Sequence, residues 1–193
     1  MRKPANYEET QAYTGESRQL PAGLYVCQIM GAIEEEAKGS RKLAIAFDIA
    51  EGEYKGFFQQ RYDADTNPQK KWPGAGIHRQ FVEDWDGSCN PFFKGLITSI
   101  EESNPGFKWN WEESTLKGKK FGAIMGREEF LTNDGQKKMA TKVFYIRSIE
   151  GLKNAKVPED KLLPDNTAGY PDMSSSMPPA APTPTDADAP FNW

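Results

Sequence analysis

Period-two alternation of apolar and polar residues most limits what this 193-residue chain can fold into. Leu43, Ile45, Phe47 and Ile49 alternate with Ala44, Ala46 and Asp48. Successive side chains of an extended backbone point to opposite faces, so such a run buries one face only as a strand. Gly23–Ile33 repeats the pattern, with Leu24, Val26, Gln28 and Met30 on one side and Tyr25, Cys27 and Ile29 on the other. It reads as a strand buried on much of both faces. Tyr54–Tyr62 reads as a third, with Tyr54, Phe58 and Tyr62 facing one way and Lys55, Phe57, Gln59 and Arg61 the other. Lys119–Phe130 and Met139–Ile149 are the fourth and fifth. Between them Thr132-Asn133-Asp134-Gly135-Gln136 is the strongest hairpin signal in the chain.

The pattern changes to helical spacing once. Asn90 suits an N-cap and Pro91 a first helical position, and Phe92, Phe93, Leu96, Ile97 and Ile100 then recur on one face. Asn104-Pro105-Gly106 ends that helix. Residues 66–90 are rich in Asn, Pro, Gly and Asp, with a short helix expected near Ile77–Trp85. The order strand, strand, strand, helix, strand, strand predicts a mostly β fold with one helix. It is the order of the five-stranded oligonucleotide/oligosaccharide-binding barrel, the OB-fold, although split α+β folds share part of it.

Composition divides the chain by region. The formal net charge is -4 and the mean hydropathy -0.73, polar for one packed globule. From Asp165 to Trp193 there is no Leu, Ile, Val, Lys or Arg, and six prolines accompany Ser174-Ser175-Ser176. Such a segment buries too little apolar surface to offset the entropy of ordering. The sequence therefore predicts a flexible arm over 1–20, a folded domain over 21–164 and a disordered, acidic, Pro-rich tail over 165–193. The tail's acids are Asp165, Asp172, Asp186 and Asp188; removing these four from the 28 leaves 24, equal to the 24 Lys and Arg of the chain. The acidity that argues against a nucleic-acid partner lies wholly in the tail.

Covalent chemistry finds little support. Glu83/Asp84, Glu101/Glu102, Glu112/Glu113 and Glu128/Glu129 are sequence neighbours, which on one element mostly point apart. Two cysteines, Cys27 and Cys89, and a single histidine, His78, suit neither a metal cluster nor a disulfide framework. His78 reads as a polar surface residue. Lys71-Trp72-Pro73-Gly74-Ala75-Gly76 lacks the Gly-Lys-Ser/Thr ending of a phosphate loop. The expectation is a protein without catalytic residues, metal or cofactor. The start of the chain has no apolar run typical of a secretory signal, and no stretch is long and apolar enough for a membrane helix, so a cytoplasmic location is expected.

Binding is better supported. Lys38, Arg41 and Lys42 flank the first connection, and Lys55 and Arg61 share the third strand's second face with Phe57. Lys119 and Lys120 open the fourth strand, and Lys137, Lys138 and Lys142 follow the hairpin tip. On an OB barrel these positions converge on the nucleic-acid face. Lysines would neutralise phosphates, while Phe57, and then Trp72, would stack on bases.

The body also resembles single-stranded-DNA-binding proteins of the phage-encoded type. The residues concerned are Leu20-Pro21-Ala22-Gly23-Leu24-Tyr25, Phe57-Phe58-Gln59-Gln60-Arg61-Tyr62 and Leu116-Lys117-Gly118-Lys119-Lys120-Phe121-Gly122. Bacterial members of that class end in an acidic stretch closed by Pro-Phe. Asp186, Asp188, Pro190 and Phe191 are similar to it, although Asn192 and Trp193 follow the phenylalanine. The resemblance implies coating of single-stranded DNA in replication or recombination. It also implies partner recruitment through Asp186, Asp188, Pro190, Phe191 and Trp193. A protein–protein adaptor or phage structural protein on the same barrel, or a metal-dependent nuclease, are the alternatives.

Overall fold

The computed structural model describes residues 19–37 and 39–164, together with residues 3 and 7. The predicted arm is described only in part, and the predicted tail, with its partner-binding residues, lies outside the described residues. Five strands form one antiparallel sheet: β1 Gly23–Ala37, β2 Ser40–Ile49, β3 Ile77–Phe81, β4 Lys120–Leu131 and β5 Lys137–Arg147. Their order across the sheet is β3-β2-β1-β4-β5. The helices are α1 Phe57–Ala64, α2 Pro91–Ser103 and the single turn α3 Ile149–Leu152. No described helix is long and apolar enough to cross a membrane.

The long first strand organises the sheet because it serves two partners. Residues from Gly23 to Gln28 pair with β4, and residues from Cys27 to Ala37 pair with β2. A bulge between Ile29 and Gly31 lies just after the stretch paired to both neighbours. An unpaired extra residue bends a strand and increases its twist. One face of the sheet carries the core: Cys27 and Ile29, then Leu43, Ile45, Phe47 and Ile49, then Phe121, Ala123 and Met125, all buried. Phe47 sits edge-on to both Phe121 and Phe58, at 5.7 and 5.6 Å between ring centroids. Burial pushes the Cys27 thiol far above its ordinary range, so it is a small apolar filler and not a nucleophile.

Helix α2 covers this core with Phe93, Leu96, Ile97 and Ile100, four residues of the predicted stripe; the fifth, Phe92, points outward and is exposed. Asn90 caps it as expected: its Oδ1 accepts from the Phe92 and Phe93 backbone N–H groups at 2.9 and 3.3 Å. The predicted hairpin also forms, with the Gly135 N–H donating to Thr132 O and φ of 74° at Gly135.

Two elements are exchanged relative to expectation. The stretch 54–62 is not a strand; most of it is helix α1. Tyr54, Phe58 and Tyr62 are four residues apart, a spacing that satisfies an extended face and a helical face equally. Tertiary contacts decide the matter. Asp48, buried on β2, accepts the backbone N–H groups of Phe58 and Gln59 at 2.9 and 3.0 Å, satisfying two orphan donors of the helix start. Gly56, at φ 73°, makes the reversal that brings them there. The third strand is instead 77–81, where a short helix was expected. Its five residues pair with β2 from Ala46↔Ile77 to Lys42↔Phe81. Among the described residues the fold therefore holds two helices of two or more turns, not one.

The sheet is open. β3 and β5 are its two edges, and among the described residues no β-pairing joins them, so the expected barrel closure is not present.

Candidate nucleic-acid interface

The cations singled out from sequence differ in what surrounds them. Some are tied to carboxylates. Arg41, on β2, donates to Glu34 Oε1 and, at 2.6 Å, to Glu83 Oε1. The bond to Arg41 holds the Glu34 carboxyl below its usual range. Lys120 reaches Glu51 at 2.8 Å, Lys137 reaches Glu129 at 3.4 Å and Lys142 reaches Glu128 at 2.9 Å. Lys161 also bonds Glu128, and these two lysines hold that carboxyl below its usual range. Arg127 and Asp160 pair beside them. Four cations around the β4–β5 hairpin are thus bonded to three acids.

Others lie over aromatic rings. Lys42 Nζ is 4.6 Å from the Phe81 ring centroid, Lys119 Nζ is 4.5 Å from that of Phe107 and the Arg61 guanidinium is 5.8 Å from that of Phe57. The Lys42–Phe81 pair is a direct cross-strand pair of β2 and β3, set on the face away from the core. Arg79 shares that face and is paired with Glu35 at 2.9 Å. Lys55 and Lys138 are exposed, and Lys38 lies outside the described residues.

The two aromatic residues nominated for stacking are not available for it. Phe57 is buried in the core beneath Arg61. Trp72 is also buried: its Nε1 donates to Gly76 O at 3.2 Å and its ring meets Tyr62 at 5.6 Å. A Cβ at position 76 would come within 2.7 Å of that indole nitrogen, so glycine there lets the tryptophan in. Phe57 was assigned to a surface by a strand that is in fact a helix, and Trp72 by a connection whose indole is in fact packed inward.

The open rings are elsewhere. Phe81 is 45% and Trp85 99% exposed. Trp85 stands out because the turn beneath it is tightly bonded. Asp84 N–H donates to Ser88 O at 2.8 Å, Gly87 N–H donates to Asp84 O at 3.0 Å and Asn90 Nδ2 donates to Asp84 Oδ1 at 2.6 Å. Phe81, Trp85, Arg41 and the β1–β2 turn residues Gly39 and Ser40 line one concavity of about 500 Å³, together with the acids Glu83, which Arg41 neutralises, and Asp84. Only Arg41 of these was nominated for binding from sequence. Trp85 had a visible signal, a bulky ring set between Asp84 and Asp86-Gly87 with no apolar neighbour at strand spacing.

The predicted clusters do not converge on this place. The β1–β2 turn follows Ala37, at one end of β1, whereas β4 runs on past Gly23, at the other end, to its turn with β5. His78 is not a loop residue either: it lies on β3, and burial pushes its imidazole down to about 4. Among the described residues no three His, Cys, Asp or Glu side chains are grouped as a metal site.

Neither the models of known protein families nor the curated proteins give a match to this chain.

Proposed function

We propose that the chain binds single-stranded nucleic acid, DNA in the first place, along the outer face of the β2–β3 edge. The observation that carries this reading is the Lys42–Phe81 pair next to the fully exposed Trp85. A cation beside an open ring suits a phosphate followed by a stacked base. Such stacking contributes about 1–3 kcal/mol per base with little regard to sequence. The strand order lends support, because β3-β2-β1-β4-β5 with a helix between β3 and β4 is the order that an OB barrel would have if it were opened between its third and fifth strands. On this reading the protein is a phage-type single-stranded-DNA-binding protein. It coats strands during replication or recombination in a host cytoplasm, without turnover, and recruits partners through its acidic end.

Titration of the full chain with poly-dT, followed by tryptophan fluorescence at two salt concentrations with and without magnesium, tests the proposal. The expected result is quenching that weakens steeply with salt and leaves the DNA intact. Absence of salt-dependent binding would favour an adaptor on the same sheet. Magnesium-dependent cleavage would favour a nuclease.

A further inference from the structure

The gap between the two edge strands is a second feature that the outer face does not use. Side chains alternate along β3, so His78 and Gln80 point away from the face that carries Arg79 and Phe81. They look into a cleft of about 210 Å³ whose other walls are the first turns of α2 and the end of β5. Two open rings from different elements line it: Phe92 of α2, 69% exposed, and Tyr145 of β5, 49% exposed. Among the described residues no carboxylate does.

Arg147 stands at the rim with its guanidinium 5.9 Å from the Tyr145 ring centroid, donating to Ile146 O at 3.0 Å. The carboxylates that hold Arg41, Arg79 and Arg127 have no counterpart at Arg147 among the described residues. Its charge is therefore left for an anion. The floor is polar but uncharged, since His78 is neutral at ordinary pH. A site with flat apolar walls, an uncharged hydrogen-bonding floor and a cation at the rim matches an aromatic heterocycle carrying a phosphate.

We infer that the cleft between β3 and β5 seats one nucleotide of the bound strand, with its base against Phe92 and Tyr145 and its phosphate on Arg147. The inference rests on the single-strand-binding reading. β3 is an edge strand, so a strand lying on Phe81 and Trp85 reaches the cleft by passing around that edge and crosses no other element.

The chain has one histidine, which gives the cleft its own reporter. The test titrates the full chain with a short oligo-dT while following tryptophan fluorescence and the imidazole resonances of His78 by NMR. Both signals are expected to change over the same range of strand concentration. In the Tyr145→Ala/Arg147→Gln variant, altered only at exposed side chains, the fluorescence change persists, the His78 shift disappears and affinity falls by roughly fivefold or more. Quenching with His78 unmoved would overturn the inference and spare the outer-face site. So would a His78 shift that survives in the variant, or unaltered affinity. A strand that moves neither signal removes the binding reading and this inference with it.

Discussion

The β2–β3 edge and the β4–β5 hairpin both pair cations with carboxylates, yet the edge also sets a lysine over an open ring. At the hairpin Lys137, Lys142, Lys161 and Arg127 are matched with Glu129, Glu128 and Asp160. At the β2–β3 edge Arg41 and Arg79 are held by Glu34, Glu83 and Glu35, while Lys42 lies on Phe81 and Trp85 projects beside it. A paired lysine must give up its carboxylate before it can take a phosphate, and the exchange returns little. A lysine over an open ring gives up only an exposed cation–π contact of about 0.5–1 kcal/mol, and the ring itself offers a second contact. Charge density along a sequence is thus a poor guide to a phosphate-binding surface unless the acids brought alongside by the fold are counted too.

The contrast breaks first at the aromatics. Replacing Phe81 and Trp85 together by alanine should weaken oligo-dT binding by about thirtyfold or more, from two stacks at about 1–3 kcal/mol each. Titration of the variant checks this, and affinity near that of the native chain would remove the β2–β3 edge from the site.

A difference in pH response is the next largest effect. On the β3 side His78 has a folded value of about 4 against an ordinary 6.5. The unfolded chain therefore binds a proton, as pH falls below about 6.5, that the folded chain refuses. Stability is complete above that value and is lost progressively down to about 4, by on the order of 3 kcal/mol in all. At the hairpin, Glu128 is held below its usual range, so that region loses stability only as its carboxyl protonates at lower pH. Urea melts at pH 7 and pH 5 should separate the native chain from His78→Gln, whose stability should change little over this interval. Equal losses in both would show that the imidazole is not shielded as described.

The smallest effects distinguish single lysines. Lys42→Ala should reduce the slope of log affinity against log salt by about 1. Lys142→Ala should leave the slope nearly unchanged and cost stability about 0–1 kcal/mol. Equal slopes for the two variants would erase the distinction between paired and ring-stacked cations.

Much of the fold was legible because its signals are local. The alternation at Leu43–Ile49, the Asn90-Pro91 helix start and the Asn133-Asp134-Gly135 turn each work within a few residues, and each appears where expected. The third strand was not legible. The spacing of Tyr54, Phe58 and Tyr62 fits either period, and the deciding group, Asp48, is ten residues from Phe58, whose N–H it accepts. That exchange displaced part of the candidate site. Phe57 was sought on a strand face that does not exist and Trp72 in an open connection, while Phe81 and Trp85 lay in a stretch read as helix or loop. Cations were legible as residues but not as free or paired, because Glu128 and Lys161 are 33 positions apart.

The sequence by itself determined the antiparallel β body, the main helix, the hairpin and the confinement of excess acid to the last 29 residues, since periodicity, turn chemistry and composition act over short distances. Only the tertiary structure decided which segment supplies the third strand, that the sheet stays open between β3 and β5, and which rings and cations face outward. Those outcomes depend on long-range contacts, a buried carboxylate meeting a helix start and acids meeting lysines across strands, which no local pattern records.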